Sequence, residues 1–116
     1  MATTIFRMDD SNITMVRGDT LALGINITDE EGQPLNVDSA YFSCKKNYDE
    51  PYVFQKSLNN GITKSSDGNY VVRVAPADTA SLDAGLYFYD LQVGKDGDVF
   101  TLLIGSLNLI HDVTTN

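Results

Sequence analysis

The sequence is poor in the residues that most often carry chemistry or covalent reinforcement. It has no tryptophan, one cysteine, one histidine and three prolines in 116 residues. With Cys44 alone, no disulfide can form within the chain, so packing and hydrogen bonds must hold the fold. Cys44 lies in Ala40-Tyr41-Phe42-Ser43-Cys44 and reads as a small buried apolar residue rather than a nucleophile. His111 has no second histidine or patterned cysteine to join, which removes the usual zinc sets and a catalytic dyad; it reads as an exposed polar residue. Basic residues are scarce too: 8 Lys and Arg face 16 Asp and Glu, a net charge of −8. A surface of that sign repels phosphate backbones and anionic lipid, so neither nucleic acid nor membrane is expected as a partner. No apolar run approaches the length of a membrane-spanning helix. The opening residues Met1 to Asp10 meet acid early and lack an apolar segment, so no signal peptide is expected. Glycine-rich phosphate loops, internal repeats and low-complexity segments are absent.

What remains is a chain of 42% hydrophobic content, enough for one ordered domain. A domain of this length buries roughly two-thirds of the surface its unfolded form exposes. Residues 20–28 alternate, with Leu21, Leu23, Ile25 and Ile27 on one face; Tyr70, Val72 and Val74 repeat the pattern in 69–75. Period two over such lengths means half-buried strands. Further strands are expected at 13–16, 40–46, 52–58, 86–93 and 99–110, with an edge strand in an N-terminal arm at 3–8. Turn chemistry separates them: Arg17-Gly18-Asp19, residues 29–34, Asn47 to Pro51, Asn59-Asn60-Gly61, Asp67-Gly68 and the hairpin 94–98. Residues 76–84 suit one short helical turn. In 99–110 the apolar residues change phase, from Phe100, Leu102 and Ile104 to Leu107 and Leu109, and a β-bulge at Gly105 would account for it.

The segment Leu82-Asp83-Ala84-Gly85-Leu86-Tyr87-Phe88-Tyr89-Asp90-Leu91-Gln92-Val93 fixes the class of sheet protein. Its D-x-G-x-Y pattern before an alternating strand is the pattern of a tyrosine corner, in which a buried ring hydrogen-bonds backbone a few residues upstream. Asp83, Gly85 and Tyr87 are the corner residues. The expected fold is all-β: an immunoglobulin-like sandwich of about seven antiparallel strands. An arm at 1–11 and a tail at 113–116 flank the sandwich at 12–112. In that topology the turns at 29–33, 59–68 and 94–98 share one end, which gathers Asp29, Glu30, Glu31, Asp96 and Asp98 as possible contact loops. Such carboxylates could meet a basic partner or a calcium ion, although no EF-hand-like spacing exists and polar hairpin tips are ordinary turn chemistry.

Other motifs reduce to structure. Arg17-Gly18-Asp19 spells an integrin-ligand tripeptide but reads as a tight turn. Asn12-Ile13-Thr14 and Asn26-Ile27-Thr28 match the glycosylation pattern, which means nothing without export. The pairs Asp9-Asp10 and Asp49-Glu50 are adjacent in extended chain, so their carboxylates point apart. No nucleophile, base and oxyanion donor converge. No enzyme activity, small-molecule substrate, cofactor or resident metal is expected. Six tyrosines, Tyr41, Tyr48, Tyr52, Tyr70, Tyr87 and Tyr89, stand in a chain without tryptophan. Tyr41 should point away from Phe42 and Cys44, which places some tyrosines outside, where they mark protein contacts or ordinary cross-strand packing.

Four pieces in order, Val16-Arg17-Gly18-Asp19-Thr20, Thr28-Asp29-Glu30-Glu31-Gly32-Gln33-Pro34-Leu35, the run from Ala77 to Val93, and Thr101-Leu102-Leu103-Ile104-Gly105-Ser106 with Asp112-Val113-Thr114, carry a family likeness. The chain resembles small immunoglobulin-like proteins of tailed phages and prophages, and is similar to the N-terminal domain of phage baseplate upper proteins. The resemblance implies a virion structural or assembly protein of the tail or baseplate, made in the bacterial cytoplasm and incorporated into the virion. Its implied partners are other virion proteins and, by the usual symmetry of repeated parts, copies of itself in a homo-oligomer. It brings no active-site residues. Baseplate upper proteins continue beyond such a domain, so a free-standing accessory protein and a domain of a longer chain both fit. The alternative from another class is a bacterial cell-surface adhesion module binding carbohydrate or host protein through its loop end.

Overall fold

The alternating segments become strands, and the punctuation between them becomes turns. The computed structural model describes residues 4–5 and 12–113. In chain order these form β1 (Thr4–Ile5), β2 (Ile13–Val16), β3 (Leu21–Asn26), β4 (Thr28–Asp29), β5 (Ser39–Lys45), β6 (Tyr52–Leu58), β7 (Gly61–Ser66), β8 (Asn69–Val74), α1 (Pro76–Thr79), β9 (Gly85–Lys95) and β10 (Asp98–Ile110). The chain is thus nearly all β, as its composition and periodicity require. Of the expected edge strand at 3–8, Thr4–Ile5 pairs antiparallel with β4; the rest of the arm, and residues 114–116 of the tail, lie outside the described residues.

Eight strands make one sheet in the order β2-β10-β9-β5-β6-β7-β8-β3, closed over a common core as a sandwich or barrel-like structure. The core draws on both halves: Ile25, Tyr70, Val72 and Val74 from one side meet Phe42, Tyr89, Leu91, Val93, Leu107 and Leu109 from the other. Burial follows the period-two pattern. On β9 Tyr87, Tyr89, Leu91 and Val93 are buried, and on β8 Tyr70, Val72 and Val74.

Two ladders depart from the antiparallel expectation. β2 runs parallel to β10, and β6 runs parallel to β7 over Ser57↔Gly61 and Leu58↔Ile62. The second departure revises the reading of 59–68 as a connection. Asn59-Asn60-Gly61 does turn, with Asn59 at φ 67° and Gly61 at φ 100°. The turn steps the chain sideways instead of reversing it, and β7 continues in the direction of β6. Periodicity could not announce β7, because Ile62 is its one buried residue. Pairing with β8 through the Asp67-Gly68 hairpin makes it a strand. Glycine is favoured at 61 by its φ of 100°, and a Cβ there would stand 2.5 Å from Lys56 Cδ and displace that side chain. Lys56 in turn places its ammonium 2.7 Å from Asp78 Oδ2, the same oxygen that accepts Ala75 N–H at 2.7 Å to start α1. One carboxylate therefore ties the stepped strand to the helical turn.

The bulge in β10 falls earlier than Gly105. The β9–β10 register shifts between Thr101 and Leu103. Leu102 and Leu103 are consecutive and both buried, which is how one extra residue is absorbed. Ile104 then points outward with the new phase, and Gly105 simply pairs with Tyr89. The hairpin itself closes on Asp96 and Gly97, at φ 53° and 85°, the paired positive values of a type I′ turn.

Two buried phenols anchor loops to this frame. Tyr87 is 3% exposed and its hydroxyl donates to Asp83 O at 2.7 Å. Tyr70 accepts Val37 N–H at 2.9 Å. Beside Tyr87, Gly18 N–H donates to Thr79 Oγ1 at 2.8 Å. Arg17 donates to Asp112 Oδ1 at 2.9 Å and to Leu82 O at 3.2 Å, so the Arg-Gly-Asp turn is stitched into the corner segment.

Tyr87→Phe keeps the ring and loses one hydrogen bond, so urea denaturation should show about 1 kcal/mol less stability with an unchanged m value. Tyr87→Ala empties the site and should cost about 3–5 kcal/mol. A Phe variant as stable as the parent would show that the hydroxyl does not anchor the corner. Cys44 is fully buried, and burial pushes its thiol up to about 12. Labelling by a disulfide reagent at neutral pH should therefore proceed only at the rate of unfolding; labelling of the native protein at the rate of a free thiol would contradict that burial.

Candidate interaction surface

The alternation that sends one set of β9 side chains into the core sends the other set outward. Leu86, Phe88, Asp90 and Gln92 leave the sheet on the side opposite Tyr87, Tyr89 and Leu91. Register then places neighbours beside them. Asp90 pairs with Ser43 of β5 and Ile104 of β10, Phe88 with Lys45 and Ser106, and Gln92 with Tyr41 and Thr101. β6 extends the rows, with Gln55 opposite Ser43 and Tyr52 opposite Lys45. Tyr48, in the turn between β5 and β6, folds back over the sheet and stacks on Phe88, with ring centroids 4.6 Å apart and planes 23° from parallel.

This face is apolar and aromatic to an unusual degree for a solvent-exposed sheet. Tyr48 is 71% exposed, Ile104 64%, Tyr52 51% and Tyr41 45%. Exposed apolar groups gathered in one patch mark contact sites more often than isolated ones do. By contrast, the outward residues of β3 are Ala22, Gly24 and Asn26, small or polar. Two shallow concavities of about 180 and 360 Å³ lie side by side on the aromatic face and share Ser43, Lys45 and Asp90. The first is walled by Tyr48, Phe88 and Ile104, the second by Tyr41, Tyr52, Gln55 and Gln92.

Polar groups on the face are largely committed. Gln55 Nε2 donates to Ser43 Oγ at 2.9 Å, and Lys45 Nζ donates to Tyr48 O at 3.2 Å, holding the turn down. Asp90 is the exception: its carboxylate has no hydrogen-bond or ion-pair partner among the described residues. Half-buried beside Ser43, Lys45, Phe88 and Ile104, it is pushed above the usual aspartate range by desolvation, an effect the Lys45 charge offsets in part.

The residues singled out from the sequence divide sharply. Asp83, Gly85 and Tyr87 stand together at the entry to β9, where Tyr87 reaches Asp83 and the Lys46 ammonium lies 4.7 Å from the Tyr87 ring centroid. The acidic loop residues are not brought into one cluster. Asp29 turns its carboxylate onto its own loop, accepting Glu31 N–H at 2.9 Å and Gln33 N–H at 3.0 Å. Asp96 is held through its backbone by Asp38 Oδ2 at 2.9 Å, while Glu30, Glu31 and Asp98 are exposed. Among the described residues no three His, Cys, Asp or Glu side chains group closely enough to hold a metal ion. Of the tyrosines, Tyr41, Tyr48 and Tyr52 are outside and Tyr70, Tyr87 and Tyr89 inside. Phe88 and Asp90 join the face through the outward phase of β9, a signal present in its alternating sequence.

No family is shown. No family model matches the sequence, and no curated protein matches it. Solved structures do share its shape. An endo-beta-1,4-mannanase from Thermotoga petrophila superposes with TM-score 0.59 at 10% identity, over 97% of this chain and 20% of the mannanase. The chain thus spans about a fifth of that enzyme's length. CopC from Methylosinus trichosporium OB3b superposes with TM-score 0.55 at 9% identity over the whole of both chains. Likeness at such identity is a likeness of fold alone.

Asp90 supplies a test by linkage. An aspartate whose folded value exceeds the ordinary 3.8 holds its proton more tightly folded than unfolded. Ionised Asp90 therefore opposes folding above its folded value, and the penalty fades as pH falls toward 3.8. Asp90→Asn should raise the urea midpoint at neutral pH and lose that advantage in acid. An NMR titration that placed the Asp90 carboxyl at or below 3.8 would remove the basis for this expectation.

Proposed function

We propose that this chain is an immunoglobulin-like module of a tailed-phage particle, a structural or assembly protein of the tail or baseplate that works through protein–protein contact and not catalysis. The observation that carries the contact reading is the exposed aromatic face of β5, β6, β9 and β10, built around Tyr41, Tyr48, Tyr52 and Phe88. Interfaces concentrate aromatic residues at their centres, and rings bury large area at little entropic cost. The corner at Tyr87, the strand order at the β9–β10 hairpin and the resemblance along residues 12–114 support the immunoglobulin-like and viral parts of the reading. The placement of the two chemically versatile residues supports a non-catalytic role: Cys44 is buried and protonated, and His111 is exposed just past β10. The adhesion alternative locates binding at the loop end, where the acidic residues are dispersed and Asp29 is engaged with its own turn.

Partners in this reading are other virion proteins and further copies of the chain. Particles purified from infected or induced host cells should contain the protein at a fixed copy number, removed from the assembly by charge reversal or truncation on the aromatic face, such as Tyr48→Ala with Tyr52→Ala. Particles of normal composition that lack the protein altogether would sink the viral reading. A monomer in light scattering at high concentration would remove the homo-oligomer.

A further inference from the structure

The aromatic face carries one feature that ordinary apolar docking would not need, the carboxylate of Asp90. We infer that this face receives an arginine side chain from a partner protein, its guanidinium stacked on the Tyr48–Phe88 pair and hydrogen-bonded to Asp90. The inference rests on the contact reading above and specifies the chemistry of the partner.

Three observations converge on a cation. The first is that Asp90 is half-buried in the concavity lined by Lys45, Tyr48, Phe88 and Ile104 and has no hydrogen-bond or ion-pair partner among the described residues, so an incoming positive charge meets a carboxylate whose desolvation has already been borne by the fold. Lys45, the adjacent cation, is anchored to the Tyr48 carbonyl at 3.2 Å. Next, the ring pair beside it presents an exposed π face, since Tyr48 is 71% exposed and stacks on Phe88 at 4.6 Å. Phe88 and Asp90 are two residues apart on one face of β9, about 7 Å along the strand, and both line one concavity with Tyr48, so a guanidinium seated against the ring pair there is within reach of the carboxylate. Finally, the chain carries a net charge of −8, whose field favours the approach of a basic surface.

The same geometry selects among cations and against neutral ligands. Arginine is planar, stacks on rings and offers a donor fork to a carboxylate; lysine is a point charge that does one or the other. The concavity walled by Tyr48, Phe88 and Ile104 is about 180 Å³, the scale of one long side chain and below the range of small-molecule pockets. A neutral sugar has hydroxyls to donate to Asp90 but gains nothing from the acidic field, so charge and salt dependence separate it from arginine.

The test is an NMR titration of the whole protein with the peptide acetyl-Val-Arg-Val-amide at millimolar concentration, against its citrulline analogue, which keeps the shape and loses the charge. Amide shifts are expected at residues 43–48 and 88–92 with the arginine peptide, about tenfold weaker binding with citrulline or with Asp90→Asn, and weakening with salt. Tyr48→Ala should weaken binding as well, while Asp98→Asn, on the hairpin tip, should leave it unchanged. Equal binding of both peptides, equal binding by Asp90→Asn, a response centred on another face, no response at all, or a neutral oligosaccharide taking these residues instead would each overturn the inference. The two readings fail separately. Arginine binding at Asp90 by a protein missing from purified particles would end the viral assignment alone. A particle partner that binds the Asp90→Asn and Tyr48→Ala proteins normally would end the arginine site alone.

Discussion

β9 is where the structure is decided, because its two faces have different duties and the same backbone must satisfy both. Tyr87, Tyr89, Leu91 and Val93 enter the core, while Phe88, Asp90 and Gln92 stand on the outer surface. The strand sits between β5 and β10, hydrogen-bonded on both edges, so its register fixes the position of its neighbours. A slip of one residue would exchange the faces, exposing two tyrosines, a leucine and a valine and burying an unpartnered carboxylate. The Tyr87 hydroxyl on Asp83 O, at the first turn of the strand, is what fixes the phase at its point of entry.

The rest of the frame is arranged to hold that register with little covalent help. With no disulfide possible, loops are fastened by single polar contacts reaching across long sequence separations. Arg17 joins Asp112 and Leu82, Gly18 joins Thr79, Tyr70 joins Val37, and Asp38 joins Asp96. Each such contact is worth only about 1 kcal/mol, yet the buried Tyr70–Val37 bond and the part-buried ones satisfy groups that would be costly to leave unpaired. The Lys56–Asp78 pair is the most enclosed of the charged contacts and sits at the step between β6 and β7, where the sheet passes from one half of the fold to the other.

Surface chemistry divides along the same lines. The loop end carries acidic residues that, among the described residues, form no group able to hold a metal ion. The outer face of β5, β6, β9 and β10 concentrates aromatic surface and a half-buried acid in one place. In the proposed reading, long-range attraction of a basic partner and short-range recognition fall to different parts of a small molecule.

Much of this was legible in the residues. Alternation located β3, β8 and β9, the D-x-G-x-Y pattern located the Tyr87 contact, and the Gly-containing turns located the hairpins, because each of these depends on residues near one another in the chain. β7 was hidden, since one buried side chain in six leaves no period and its existence depends on pairing with β8. The bulge was assigned to Gly105 because glycine is the visible signal, whereas the extra residue went to Leu102, where the core had room for two consecutive leucines. For the acidic loops the structure adds only local detail: Asp29 is engaged with its own turn, and no three acidic side chains among the described residues group closely enough to hold a metal ion. Local sequence thus determined which residues face in and which face out. Only the tertiary register decided which outward residues become neighbours, because the contact of Tyr48 with Phe88 and the setting of Asp90 beside Ser43 and Ile104 arise from strands that meet across the sheet.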